Sequence, residues 1–300
     1  MREVGIALLF ASGLLALFLL IPLASKRAAP APFAAAATTT PNAFANIPIE
    51  AKAAIVYDLV TGQTLYAKNA DAQLPLASLT KLLTVYAALA TLSPTTPVTI
   101  PLEAIRAEAP RAFNEGQIFS LADLARLTLT ASLNDGAMAI ASATAARMNR
   151  TPNEMLASAA AALALSQTYA VNGSGLDIST AVSGGYGSAY DLARLAGALV
   201  EKAPSVAAAT TEHSAEAVSL GGTSFSVQNT DPIVATIPRL LLSKTGYTDL
   251  AGGNLALVFD AGLGHPISVV VLGSSRNARF TDGEALIFAT LAHFSGVASL

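Results

Sequence analysis

The chain has 300 residues and a formal net charge of −3. Hydrophobic residues make up 53% of it and charged residues only 12%, where an ordinary soluble domain is roughly a quarter charged. Cysteine is absent, which excludes disulfides, thiolate catalysis and cysteine-based metal sites, and no basic stripe is present of the kind that binds nucleic acid.

The first element in chain order is the uncharged run Val4–Ala24, VGIALLFASGLLALFLLIPLA. A membrane-spanning helix needs about 20 apolar residues, whereas a signal-peptide core needs only about 7–15. The length predicts an uncleaved anchor; a cleaved signal peptide is the rival, disfavoured because no A-x-A site follows Leu23. Arg2 and the pair Lys26 and Arg27 pull the orientation in opposite directions. Residues 25–46, rich in Ala, Pro and Thr, read as a linker, and the folded domain is expected over 47–300.

AKAAIVYDL and TGQTLYAKN predict two strands joined around Thr61 and Gly62. Ala77 to Leu92 has helical spacing of apolar residues. Ser120 with Asp123, Ser188 with Asp191, and Thr281 with Glu284 each have the spacing of a capping box ahead of an apolar run, and a further helix is expected from Asp135 to Met148. NLALVFDAG and PISVVVLGS predict adjacent strands with a turn at Gly262 to Pro266. Strands at both ends and helices between them predict an α+β fold of mixed layers, an antiparallel sheet flanked by helices with a helical insert.

Within the Ala77 helix lie Ser78 and Lys81, i and i+3 on one face. A lysine one turn from a serine can take the hydroxyl proton if it is neutral part of the time, and burial or a second cation drives it that way. One S-x-x-K is expected by chance in a chain of about this length at ordinary usage, so the pair alone decides nothing. Two further motifs do more: Ser132-Leu-Asn134, chosen over the second copy at Ser275 by its place at a junction of helices, and the rarer Lys244-Thr245-Gly246.

Together the three motifs resemble those of the D-alanyl-D-alanine carboxypeptidase and endopeptidase family, the low-molecular-mass penicillin-binding proteins, whose fold is shared with β-lactamases. The resemblance extends over about residues 50–295, through AIVYDLVTGQTLYAKNAD, LPLASLTKLLT, the segment ending in ASLNDGAMAIA, VNGSGLD, GSAYDLARL, KTGYTDLAGGNL and VVVLGSS. It implies that Ser78 is the acylated nucleophile, Lys81 its base, and Ser132 the bridge from Lys81 to the departing amine. Asn134 would hold the substrate amide and position Lys81. Lys244 and Thr245 would take the terminal carboxylate of a D-Ala-D-Ala peptide, with Lys244 as the second cation beside Lys81. Gly246 would let the strand approach, and the backbone N–H groups of Ser78 and Tyr247 would form the oxyanion hole.

The implied activity is a D,D-carboxypeptidase acting on peptidoglycan stem peptides, inhibited by β-lactams, without cofactor or metal. It would be held at the cell membrane with its catalytic domain outside the cytoplasm. A D,D-endopeptidase is the nearest rival, ahead of a β-lactamase or an inactive wall-binding module. One departure is Leu242, where the family usually has glycine two residues before the lysine of K-T-G. His213, His265 and His293 lack ligand spacing. Asp135 and Asp191 read as helix-start residues, Glu154 as a helix residue outside any E-x-x-L-N context, Asn172 and Gly173 as turn formers, and Arg276 and Arg279 as surface charge by default, with a place near the cleft mouth as the alternative.

Overall fold

The computed structural model describes residues 42–296. The expected anchor over Val4–Ala24 and most of the expected linker lie outside them. Among the described residues no helix is long and apolar enough to cross a membrane.

The chain opens with strands β1 (Ala53–Asp58), β2 (Thr64–Lys68) and the short β3 (Leu74–Pro75). A single turn of 3-10 helix, Ala77–Leu79, then feeds α1 (Thr80–Thr91). Next come β4 (Pro97–Thr99), α2 (Leu102–Ile105), β5 (Ile118–Ser120), α3 (Leu121–Thr130), α4 (Asn134–Arg147) and α5 (Pro152–Ala162). After β6 (Tyr169–Ala170) and β7 (Gly185–Gly187) the chain forms α6 (Ala189–Lys202) and α7 (Pro204–Ala209). It closes with β8 (Ser214–Val218), β9 (Ser224–Gln228), β10 (Leu240–Thr248), β11 (Gly252–Asp260), β12 (Pro266–Ser274) and α8 (Ala278–Ser295).

The main sheet is antiparallel in the order β10-β11-β12-β1-β2, so the two ends of the domain do build one sheet. Its strands alternate between two cores. Ala53, Ile55, Ala256, Val258, Val270 and Leu272 face the helical insert, which includes α6. Ala54, Val56, Leu255, Leu257, Phe259, Val269 and Val271 face α8. Both faces are therefore apolar, which is why these strands read as unbroken Val, Leu and Ile runs rather than as an alternation.

Turn chemistry closes the hairpins. The Asp58 carboxylate accepts the N–H groups of Val60 and Thr61, and Gly62 follows in the left-handed region. Ser120 and Ser188 cap α3 and α6 as expected, each accepting the backbone N–H three residues on. Thr281 does not cap α8. That helix starts earlier, at Ala278, and the Thr281 hydroxyl donates back to the Ala278 carbonyl inside it. The packed unit also begins before Ile47, because Ala43 and Phe44 are buried, the Phe44 ring against Tyr66 and His293.

Candidate active site

Ser78 sits on the 3-10 turn, whose first residue Ala77 has φ +48°. The left-handed backbone there is strained for a residue with a Cβ, at a cost of about 1–3 kcal/mol, and such strain concentrates at functional sites. Gly175 makes the turn possible: a Cβ on it would lie 1.9 Å from the Ala77 carbonyl oxygen. Asn254 of β11 holds the approach from the other side, donating to the Pro75 carbonyl at 3.0 Å and accepting from Gly273 at 2.8 Å.

Lys81 lies in the first turn of α1, is 0% exposed, and donates to Ser78 Oγ at 2.8 Å. Its other two partners are Asn134 Oδ1 and the Ser174 carbonyl oxygen, each at 2.7 Å. Burial, and next the Lys244 ammonium, hold Lys81 well below the usual lysine range, while the Asp135 carboxylate acts in the opposite sense. Asp135 is itself fixed by the N–H groups of Ala112, Phe113 and Gly136, so the residue expected merely to start α4 also pins the loop over it.

Ser132 has φ +59° in the junction between α3 and α4, and its hydroxyl accepts from Lys244 Nζ at 2.9 Å. Among the described residues it makes no hydrogen bond to Lys81, so the expected bridge is not closed directly. Asn134 Oδ1 accepts from Lys81, and its amide nitrogen donates to the Glu108 carbonyl at 2.9 Å.

On β10, Lys244 is 1% exposed and also donates to the Thr245 carbonyl at 2.8 Å. Burial, then the Arg279 guanidinium, lower it to about 7, opposed by Asp231. The Thr245 hydroxyl pairs with Thr230 at 2.6 Å. Gly246 runs against the nucleophile turn: a Cβ there would lie 2.9 Å from the Leu76 carbonyl oxygen and 3.3 Å from the Ser78 nitrogen. Tyr247 is 39% exposed, with the Arg276 guanidinium 4.7 Å from its ring centroid. Leu242, at the position where glycine was expected, is fully buried in the core facing the helices.

The three motifs therefore converge on one cluster, joined by residues that the motifs did not include. The reading of Arg279 as surface charge is overturned: it is 8% exposed and donates to the Gly246 carbonyl at 2.6 Å, because α8 runs back across β10. The Asn172–Leu176 loop is more than a turn. Asn172 Oδ1 accepts from Ser174 and Gly175, which aims the Ser174 carbonyl at Lys81. Glu154 is occupied at the N-terminus of α5, where it forms a capping box with Thr151, and takes no part in the cluster.

The chain matches the D-alanyl-D-alanine carboxypeptidase family model over residues 36–276, most of its length. The chain belongs to that family of serine peptidases. Among solved structures it is similar to penicillin-binding protein D2 of Listeria monocytogenes in its ampicillin-bound form, at 27% identity and a TM-score of 0.69, covering 82% of this chain and 99% of that one. It is similar at 25% identity and a TM-score of 0.71 to a D-alanyl-D-alanine carboxypeptidase of Mycobacterium tuberculosis, covering 86% and 98%. A carboxypeptidase of Francisella tularensis, at 22% identity and a TM-score of 0.72 over 82% of this chain and 71% of that one, shares the fold. No curated protein sequence matches.

Proposed function

We propose that this family member is a D,D-carboxypeptidase that removes the terminal D-alanine from peptidoglycan stem peptides through an acyl-enzyme on Ser78. The observation that carries the reading is the fully buried Lys81 amine, 2.8 Å from Ser78 Oγ. A neutral amine in that position has two N–H groups for Asn134 Oδ1 and the Ser174 carbonyl. Its lone pair is left to take the Ser78 proton.

In the same reading Ser78 attacks the penultimate D-alanine carbonyl, and the resulting oxyanion sits between the Ser78 and Tyr247 N–H groups. The Ser132 hydroxyl hands its proton to the leaving D-alanine amine and takes in its place, as Lys81 and Ser132 close up on the bound substrate, the proton that Lys81 removed from Ser78. Lys244 bonds to Ser132 and to its own strand, so among the described residues one ammonium proton remains for the substrate carboxylate, with Thr245 and Gly246 alongside. Asn134 keeps Lys81 in place. Water then releases the acyl group by the same route.

Ampicillin is bound by the Listeria relative, and by this reading β-lactams acylate Ser78 here too. Incubation with a fluorescent penicillin and mass mapping of the labelled peptide tests it. The label is expected on the peptide holding Ser78 and is expected to vanish in Ser78→Ala. Label on another peptide, or label that survives the substitution, sinks the mechanism. The reading also places Val4–Ala24 in the membrane and the catalytic domain outside the cytoplasm, since stem peptides are found there and the run is long enough to span.

A further inference from the structure

Asp135 lies one residue past Asn134, in the first turn of α4, and is 0% exposed. Both of its carboxylate oxygens are engaged by backbone N–H groups. Oδ2 accepts from Ala112 and Phe113, and Oδ1 from Gly136, each at 2.8 Å. These donors offset the cost of taking the group out of water. Two of the three belong to the loop between α2 and β5. That loop is also held by the Phe113 ring, which packs against Phe119 and Phe225 at centroid distances of 4.9 and 5.5 Å.

The loop in turn holds Asn134. The Asn134 N–H, which has no partner inside its own helix, donates to the Pro110 carbonyl at 2.7 Å. Its Nδ2 donates to the Glu108 carbonyl at 2.9 Å. A side-chain amide has nearly the same shape in its two flipped orientations, so its neighbours choose between them. A carbonyl oxygen can only accept. Glu108 therefore selects Nδ2 and turns Oδ1 to Lys81, 2.7 Å from Nζ. The flipped amide would aim an N–H at Lys81 instead. There it would donate into the amine lone pair that has to take the Ser78 proton.

We propose that Asp135 is a positioning residue for the base: it straps loop 108–113 to the start of α4, so that the Glu108 carbonyl keeps Asn134 Oδ1, and not Nδ2, against Lys81. It touches no substrate and acts through Asn134. The inference rests on the reading of Lys81 given under Proposed function. The S-x-N motif stops one residue short of Asp135.

The test is a mutant cycle on the full-length chain, read as the rate at which a fluorescent penicillin labels it. Asp135→Ala removes every acceptor for the loop. Asp135→Asn keeps one oxygen for the loop but sets an NH2 group against the Gly136 N–H. Labelling is expected to slow about tenfold or more in Asp135→Ala, and about threefold in Asp135→Asn. In an Asn134→Ala background neither substitution is expected to cost more than a further factor of about two, because the amide they misplace is gone. Loss of the Asp135 charge does not mimic this. That carboxylate acts to raise Lys81, so removing it favours the neutral amine, and does so with or without Asn134. An unchanged rate in Asp135→Ala overturns the proposal, and so does an equal loss in the two backgrounds, which marks a merely structural role. Should Asp135→Ala fail to fold, the same cycle on the near-isosteric Asp135→Asn decides by the same two outcomes. Label that survives Ser78→Ala sinks the acyl-enzyme reading and this inference with it. Label that depends on Ser78, with equal losses in both backgrounds, sinks this inference alone.

Discussion

Two lysines of one chain are given opposite duties, and their surroundings separate them. In the proposed mechanism Lys81 has to be neutral to accept a proton, and Lys244 has to be charged to hold a carboxylate. Both are buried, which disfavours charge on either. Lys81 also faces the Lys244 ammonium, while Lys244 has Asp231 acting for its charge against Arg279. The sign of the pH dependence follows. Activity rises as Lys81 loses its proton and falls as Lys244 loses its own, so kcat/KM, which reports the free enzyme, should decline above about 7. A docked carboxylate adds a counter-charge to Lys244 and moves its ionisation up, so the basic limb of kcat should lie at higher pH than that of kcat/KM. Steady-state kinetics across pH check this, and coincident limbs would contradict it.

At the scale of elements, the site is a meeting of three pieces. The 3-10 turn presents Ser78, the left-handed junction between α3 and α4 presents Ser132, and the end of β10 slides past the turn at Gly246. Strain at Ala77 and Ser132 is kept because α1, α3 and α4 pack around both positions, with Leu79, Leu82, Leu127 and Ile140 fully buried. The spacing of β10 from the turn depends on a residue without a Cβ. Gly246→Ala is expected to push the strand away from Ser78 and slow penicillin acylation by about a hundredfold, the usual cost of a misplacement near 1 Å, with little change in melting temperature. Stopped-flow acylation beside a thermal melt measures both. Parental acylation in a folded variant would show that the approach at Gly246 does not set the oxyanion geometry.

At the scale of the whole molecule, two apolar cores on opposite faces of the sheet hold the N- and C-terminal thirds together. Asp282 of α8 adds a polar tie, accepting from Glu50, Ala51 and Ser274. Attachment to a membrane belongs to this scale too. If Val4–Ala24 is a retained anchor, intact-mass analysis of membrane-purified protein should give a chain that includes those residues. A mature N-terminus between about residues 25 and 37 would identify a signal peptide instead.

The sequence by itself determined what repeats locally. The hairpin at Gly62, the caps at Ser120 and Ser188, the paired strands β11 and β12 and the three motifs depend on neighbours within a few residues, and all were legible there. The site's inner support was not. Arg279 reaches Gly246 across 33 positions, Lys244 reaches Ser132 across 112, and the Ser174 carbonyl reaches Lys81 across 93. Nor could local pattern tell Arg279 from a solvated arginine or Asp231 from a turn residue, because burial is a property of what the rest of the chain packs above a position. Even Thr281 followed this rule: its capping spacing is present, but α8 begins at Ala278, one turn earlier, where the helix runs back over β10 and β11. Local chemistry named the candidate nucleophile and its candidate base; only the tertiary structure decided which buried charges stand around them.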